Sequence, residues 1–416
     1  MRNIISTTLI LTLFGTLAYG QVTRVLFIGN SYTGVNNLPQ MTYDAAISTS
    51  DTLIIDSHTP GGTRLLNHAT DPQALAKINS QSWNYVVLQA QSQEPSWPIS
   101  QVQTDVFPYA TQLCNAIRAN NKCSMPVFYM TWGRKTGDAS NCASWPPVCT
   151  YIGMDSLLHK RYQTMGNDNN ALVSPVGAVW HYVRDTYPSI DLYASDNSHP
   201  SMAGSYAAAC TFYTVFLRKD PTLITYTAGL PAATAEKIRL AAKTIVFDDL
   251  LEWNIGKYDP VSKFSWTKSQ QTAFFLNQSK NADSYLWNFG DGDTSSLESP
   301  QHTYNLLGQY EVELKVQLCN RESVKLDTVA FYMGVNDQDN ANKISLYPNP
   351  SCSAIVVTID SPNSIKPSYI EIYDIMGKMV FGKTIQDNEI VISVANFTTG
   401  MYSYKVGEQT GTFLVE

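Results

Sequence analysis

The sequence predicts an α/β fold: a flavodoxin-like parallel sheet with helices on both faces, followed by two small all-β sandwich domains. Over residues 21–256, short apolar runs alternate with helical patterns, and this order favours a parallel sheet covered on both sides. After residue 258 the long helical patterns stop and short alternating strands follow, as is typical of β-sandwiches. A chain of 416 residues has room for two or three such domains.

The predicted elements follow from the position and length of each apolar pattern. Strands of the first region are predicted at 25–28, 52–55, 85–88, 126–131 and 171–173. Helices are predicted at 38–48, 73–79, 102–120, 151–165, 177–186, 200–218 and 232–251. Later strands are predicted at 273–276, 284–289, 310–316 and 328–332, and then at 355–359, 369–373 and 402–406.

The start of the chain has the features of a targeting segment. Arg2 precedes a mostly apolar run, and Ala18-Tyr-Gly20 offers small residues for cleavage before Gln21. Residues 1–20 are therefore predicted to be a signal peptide. The formal net charge of −7 argues against nucleic-acid binding. No later stretch reaches transmembrane length, so we expect an exported protein without a membrane-spanning segment.

Seven cysteines in an exported chain permit disulfides. Cys114 lies near Cys123 and Cys142 lies near Cys149, so each pair could staple a local loop, although spacing alone leaves the pairing open. Cys210 lies in an apolar helical run, where a buried free thiol is expected. No cluster has zinc spacing, and neither a cofactor nor a metal is expected.

The stretch Gly29-Asn30-Ser31 follows the first predicted strand directly. Gly29 allows a sharp turn. Ser31 would then lie at the carboxyl end of the strand, where open α/β sheets place ligands. An ordinary turn after a strand is the structural alternative for this stretch alone.

A second stretch, Asp196-Asn-Ser-His199-Pro200, lies near the end of the α/β region. A serine needs a base to become nucleophilic, and the base needs an orienting acid. Asp196 could hold His199 on one tight turn and leave the other ring nitrogen free to face a serine. Pro200 is expected to start the next helix at its first position. A capping Asp beside a surface His is the structural alternative.

The two stretches together resemble the SGNH (GDSL-like) hydrolase family over residues 22–250. The first family block usually reads Gly-Asp-Ser, and here Asn30 replaces the Asp. The resemblance implies that Ser31 is the nucleophile, His199 the base and Asp196 its orienting acid.

The same resemblance implies an oxyanion hole built from three backbone or side-chain donors. Its first donor is the backbone N–H of Ser31. The second is Gly62, with Gly61 as an alternative in the Thr59-Pro-Gly-Gly-Thr63 block. The third block departs from the family pattern, because Gln89-Ala-Gln91 stands where Gly-x-Asn-Asp is usual. Gln91 is predicted as the donor, and Gln89 competes with it.

The β region carries two further resemblances. Trp287-Asn-Phe-Gly-Asp-Gly292, with His302 and Tyr310 in their later motifs, resembles a PKD domain. Turn chemistry is favoured for Asp291 and Asp293, although a calcium role stays open. The stretch Leu346-Tyr-Pro-Asn-Pro350 and the motifs after it resemble the C-terminal sorting domain of type IX secretion in Bacteroidota. The predicted domains are 1–20, 21–256, 259–335 and 343–416, with a polar linker at 336–342.

These observations predict a secreted or cell-surface serine esterase that hydrolyses acyl esters on carbohydrate, with acetyl favoured. Its expected partners are the ester substrate and the type IX secretion machinery. A lipid or aryl esterase is the alternative among enzymes. The alternative of another class is a non-catalytic glycan-binding or adhesion protein on a hydrolase fold.

Overall fold

The computed structural model describes residues 22–332, 343–360, 368–385, 389–407 and 409–416. The predicted signal peptide and the predicted linker lie outside these residues. The described residues divide into two compact units. The first contains the residues up to Thr303 together with Tyr310–Thr328, and the second contains Tyr304–Gln309 and Val329–Glu416.

A five-stranded parallel sheet forms the centre of the α/β region in the described part of the chain. Its strands are β1 Thr23–Ile28, β2 Leu53–His58, β3 Tyr85–Leu88, β4 Met125–Tyr129 and β5 Leu172–Ser174. They lie in the order β2-β1-β3-β4-β5, which is the flavodoxin-like order. Val25, Leu26, Phe27 and Ile28 are fully buried, as expected for a strand covered on both faces. The predicted fold class is confirmed.

Helices connect and cover these strands. They are α1 Ser31–Gly34, α2 Leu38–Ile47, α3 Leu65–His68, α4 Pro72–Asn79, α5 Ile99–Asp105, α6 Phe107–Asn120, α7 Tyr151–Asp168, α8 Val176–Thr186, α9 Met202–Leu217 and α10 Ala232–Ile245. Helix α9 is buried along almost its whole length and packs against α2, α8 and α10. Among the described residues, no helix combines the length and apolarity needed to cross a membrane.

Three predicted helix boundaries were wrong, each for a local reason. The helix predicted at 102–120 is broken at Val106, because Pro108 lacks an N–H and can only enter the first turn of a new helix. Helix α9 begins at Met202 and not at Pro200, because Ser201 is its N-cap and accepts a hydrogen bond from the Gly204 N–H. Helix α10 ends at Ile245, and a 3₁₀ segment follows it.

The following region is all β. It contains β6 Phe264–Ser269, β7 Thr272–Asn277, β8 Ser284–Asn288, β9 Thr294–Ser295, β10 Gln301–Thr303, β11 Gly308–Leu318 and β12 Arg321–Phe331. These strands form sheets of order β10-β7-β6 and β12-β11-β8-β9. Trp287 is fully buried between the rings of Phe264 and Phe275, whose centroids lie 5.0 and 5.1 Å from it. This aromatic cluster gives the small region a core.

The C-terminal strands form two antiparallel sheets. They are β13 Lys343–Tyr347, β14 Ala354–Asp360, β15 Ser368–Tyr373, β16 Met379–Ile385, β17 Glu389–Ser393, β18 Gly400–Val406 and β19 Gln409–Val415. Their orders are β13-β14-β17 and β16-β15-β18-β19. Ile355, Ile372 and Phe413 belong to the apolar cluster of this region. Both predicted all-β regions are therefore present.

Two disulfides are present among the described residues. Cys142 pairs with Cys149, as the local spacing suggests. Cys123 pairs with Cys319 rather than with Cys114, which is a buried free thiol. Cys114 lies inside α6 with its side chain in the apolar core, so it cannot reach the surface turn that holds Cys123. The long-range disulfide links the α/β region to the first β region.

Replacing Cys123 and Cys319 together by serine should lower the free energy of unfolding by about 2–4 kcal/mol, because the disulfide restricts an unfolded chain across a long loop. Urea unfolding followed by tryptophan fluorescence measures this change. Cys352→Ser is the control, since that thiol is free and exposed and its loss should leave the midpoint unchanged. Equal midpoints for all three proteins would contradict the prediction.

Candidate active site

The Gly29 peptide forms the turn at the carboxyl end of β1. Its N–H donates to the His58 carbonyl oxygen at 3.1 Å, and its carbonyl accepts from His68 Nε2 at 2.9 Å. Burial lowers the pKa of His68 to about 4, so the ring is neutral and Nε2 carries the donated hydrogen. A Cβ at position 29 would lie 2.5 Å from Thr33 Oγ1 and 2.9 Å from Gln89 Oε1. Only glycine fits this close approach.

Asn30 and Gln89 form a buried reciprocal pair beside this turn. The Asn30 backbone N–H donates to Gln89 Oε1 at 3.0 Å, and Gln89 Nε2 donates to Asn30 Oδ1 at 2.8 Å. The other Gln89 Nε2 hydrogen goes to the Ala90 carbonyl, and Thr33 Oγ1 donates to Gln89 Oε1. Both donors of Gln89 are thus occupied. The Gln89 amide therefore holds the turn.

Ser31 is the first residue of α1, and Asn30 caps that short helix through a hydrogen bond from the Tyr32 N–H. The half-buried Ser31 Oγ lies 2.9 Å from His199 Nε2. His199 Nδ1 lies 2.5 Å from Asp196 Oδ2. The structure therefore joins the three predicted residues in one continuous hydrogen-bonded chain at the carboxyl end of the parallel sheet.

A tight turn fixes the positions of Asp196 and His199. Asp196 Oδ1 accepts from the backbone N–H groups of Ser198 and His199 at 3.0 and 2.9 Å. The Ala194 N–H donates to the His199 carbonyl at 2.8 Å and closes the turn. Desolvation works to raise the pKa of Asp196, but the hydrogen bonds from the His199 ring and from the two backbone N–H groups outweigh it and lower the pKa to about 2. Asp196 is therefore ionised at all ordinary pH values.

Aromatic rings support the same turn from inside the protein. The Tyr32 ring stacks on Trp132 with centroids 4.8 Å apart, and Trp132 stacks on Trp180 at 3.6 Å. The Tyr32 hydroxyl lies 2.6 Å from Ser198 Oγ, and Trp132 Nε1 donates to the Ser198 carbonyl at 3.1 Å. The rings of His199 and Tyr32 make an edge-type contact, with their centroids 5.2 Å apart. This stack limits the orientations that the imidazole can adopt.

The Gly62 loop lies against the serine turn. Asn30 Nδ2 donates to the Thr63 carbonyl at 3.0 Å, so the loop is tied to the residue that precedes Ser31. Gly62 is exposed and has a φ of 71°, and a Cβ there would have nothing within 4 Å. Gly61 is equally open. The positive φ favours glycine at position 62, and the space around the loop leaves the backbone accessible to a ligand.

Gln91 belongs to a separate polar turn after β3. Its Oε1 accepts from the Gln93 and Glu94 backbone N–H groups at 2.7 and 3.2 Å, and its Nε2 donates to Gln93 Oε1 at 3.2 Å. That bond uses one of the two Nε2 hydrogens. Gln89, two positions earlier in the same block, bonds to the backbone N–H and the Oδ1 of Asn30. The third block therefore lies beside the residue that precedes the serine.

Several residues of the site were not identified from the sequence. Arg64, which follows the Thr59–Thr63 block directly, forms an ion pair with Glu94, which lies three positions after Gln91 and has a side chain that is 1% exposed. This pair ties the second block to the third. Ser198 lies within the Asp196–His199 turn, and its place between the two predicted residues is a signal that could have identified it. The role of Arg64 had no comparable signal, because its partner lies 30 residues away in the sequence.

Two parts of the chain match family models. Residues 261–331 match the PKD domain, and residues 345–415 match the secretion system C-terminal sorting domain. Both sequence resemblances in the β region are therefore confirmed. The sorting-domain match indicates a protein that is exported to the cell surface or beyond.

Other similarities cover parts of the chain. Collagenase ColA of Bacillus cereus is 59% identical over 34 residues, which are 8% of this chain and 4% of the collagenase. A solved DUF4886 family protein from Bacteroides uniformis is 18% identical, covering 56% of this chain and 95% of its own, with a TM-score of 0.48. A protein from Slackia heliotrinireducens, described as a candidate SGNH hydrolase, is 25% identical over 46% of this chain and 98% of its own, with a TM-score of 0.37.

Replacing Gln89 by Met should lower the free energy of unfolding by about 1–3 kcal/mol, because the buried Asn30 N–H loses its acceptor. Chemical denaturation of the purified variant measures this loss. Gln101→Met is the matched control, since Gln101 is exposed on α5. A Gln89 variant as stable as the control would show that the amide pair does not hold the turn.

Proposed function

We propose that this chain is a secreted serine ester hydrolase of the SGNH type, with Ser31, His199 and Asp196 as its catalytic triad. One observation carries the proposal: His199 bridges the Ser31 hydroxyl and the Asp196 carboxylate, at 2.9 and 2.5 Å. This bridge lies at the carboxyl end of the parallel sheet, where open α/β sheets bind ligands. Ser31 and the turn that carries both Asp196 and His199 are separated by more than 160 positions.

The geometry supports an acyl transfer. Ser31 Oγ attacks the ester carbonyl carbon while His199 Nε2 takes its proton. Asp196 accepts the Nδ1–H and stabilises the imidazolium. The ester C–O bond then breaks, and the alcohol oxygen receives the proton from His199. Water, activated by the same imidazole, attacks the acyl-enzyme and releases the carboxylic acid and free Ser31.

The oxyanion of each tetrahedral intermediate needs aimed donors. We assign these to the Ser31 backbone N–H, the Gly62 backbone N–H and the side chain of Gln91. The N–H of Ser31 has no acceptor within its helix, because it is at the first position of α1. The open loop at Gly62 and the unused hydrogen of Gln91 support the other two assignments.

Acetyl esters on carbohydrate are the proposed substrates, with the α/β region at 21–256 as the hydrolase domain. The PKD and sorting-domain matches fall within 259–335 and 343–416, the ranges proposed for the two accessory domains. Export by the type IX machinery, after removal of residues 1–20, would bring the enzyme to extracellular polysaccharides. This support comes from the association of domains and not from the site itself.

Ser31→Ala and Asp196→Asn should each lower the hydrolysis of p-nitrophenyl acetate and the release of acetate from acetylated xylan. The serine change removes the nucleophile. The Asp196 change removes the charge that orients and stabilises the imidazole, and should reduce kcat by about 10⁴-fold. Initial rates of both assays, with circular dichroism of each variant, measure the effect.

Ser156→Ala and Asp248→Asn are the matched controls, because these residues are exposed on the surface and take part in no contact with the triad. A wild type as inert as Ser31→Ala on both substrates would favour the non-catalytic adhesion alternative. Activity on the aryl ester without any acetate release from polysaccharide would favour the aryl or lipid esterase.

Gln91→Ala should reduce kcat by roughly 10²-fold with a smaller change in KM, because an oxyanion donor acts on the transition state. Steady-state kinetics on p-nitrophenyl acetate test this. Gln91→Glu separates the two roles of the side chain, since it keeps an oxygen for the Gln93 and Glu94 N–H groups and loses the amide donor. If Gln91→Glu has the kcat of wild type, the donor is another group.

A further inference from the structure

His58, His68 and Asp71 form a cluster behind the serine turn. One ligand atom from each residue lies within 4.8 Å of the other two. His58 ends β2, His68 ends α3 and Asp71 caps α4. Three separate elements thus bring two imidazoles and a carboxylate to one place, although the sequence spacing does not follow a zinc motif.

His68 has the hydrogen-bond arrangement of a metal ligand. The ring is fully buried, and its Nε2–H donates to the Gly29 carbonyl. The lone pair therefore lies on Nδ1, which has no hydrogen-bond partner among the described residues. Metal-binding histidines usually donate their other N–H to a carbonyl or carboxylate in this way. A buried nitrogen without a partner otherwise costs free energy.

His58 and Asp71 complete the cluster at its outer side. His58 Nε2 lies 2.6 Å from Asp71 Oδ2, and the His58 and His68 ring centroids are 5.6 Å apart. Asp71 Oδ1 accepts the cap hydrogen bond from the Gln73 N–H at 2.9 Å, so Oδ2 is the oxygen that faces the histidines. The His58 and Asp71 side chains are 12% and 27% exposed, which gives an ion a route from solvent.

We propose that His58, His68 and Asp71 bind one divalent transition-metal ion of the Zn²⁺ class. Two imidazole nitrogens and one carboxylate oxygen suit zinc, with a water in the fourth position. Calcium and magnesium prefer ligand sets made of oxygen alone. The ion would replace the shared proton between His58 and Asp71 and would give His68 Nδ1 its missing partner.

The site would brace the turn that carries the serine. The Gly29 peptide is held on one side by the His58 carbonyl and on the other by the His68 ring. An ion joining the two histidines would therefore fix both contacts of the residue two positions before Ser31. The role of the ion would be structural, because its ligand His68 contacts Gly29 and not the reacting atoms.

Metal binding to the full mature chain tests the proposal without an activity assay. After treatment with a chelator, the protein is titrated with Zn²⁺ by calorimetry and with Co²⁺ by visible absorption. We expect one ion per chain at this site, with the strong visible bands of four-coordinate cobalt. Asp71→Asn keeps a capping oxygen and loses the charged ligand, and His58→Gln loses a ring nitrogen. Each should weaken binding by at least about tenfold.

His159→Gln is the matched control, because that ring packs on Trp253 outside the cluster, and it should bind as wild type does. Asp291→Asn tests the other group with metal-ligand spacing, formed by Asp291, Asp293 and His302. The proposal is overturned if the wild type binds no ion, or if Asp71→Asn and His58→Gln bind as tightly as His159→Gln. Equal thermal midpoints of the chelated proteins verify that the variants are folded.

Discussion

The buried amide pair between Asn30 and Gln89 holds the end of β1 in the shape on which the site depends. Its two hydrogen bonds, at 3.0 and 2.8 Å, lie in a place that water does not reach. A buried donor or acceptor without a partner costs about 1–3 kcal/mol, so the pair strongly disfavours other arrangements of the turn. Gly29 makes the pair possible, because a side chain there would occupy the space of the Gln89 amide. The backbone between the end of β1 and Ser31 is therefore held in one conformation.

Long-range packing brings His199 to Ser31. His199 lies 168 positions after Ser31, and its turn is held between the N-terminus of the buried helix α9 and the Tyr32–Trp132–Trp180 stack. Tyr32 follows Ser31 directly and reaches Ser198 in the turn that carries His199. One aromatic residue thus connects the two halves of the site.

The covalent and ionic links outside the site suit an exported protein. The Cys123–Cys319 disulfide joins the α/β region to the first β region, and Asp259 forms ion pairs with both Arg218 and Arg321 near the same junction. Disulfides persist in oxidising compartments, in agreement with the sorting-domain match. The disulfide lies near the amino ends of the α/β strands, where the Met125 N–H donates to the Asn84 carbonyl. It therefore leaves free the carboxyl ends of the strands, where Ser31 lies.

We could predict from the sequence the strand-helix alternation, the change to all-β structure after residue 258, and the two local motifs that contain Ser31 and His199. These features are local, because apolar periodicity and short turns depend on neighbouring residues. Only the tertiary structure shows that Gln89 is the hydrogen-bond partner of Asn30, that Cys123 pairs with Cys319, and that His58, His68 and Asp71 meet. Each of these outcomes depends on which elements pack together, and spacing along the chain does not encode the distance between side chains in space.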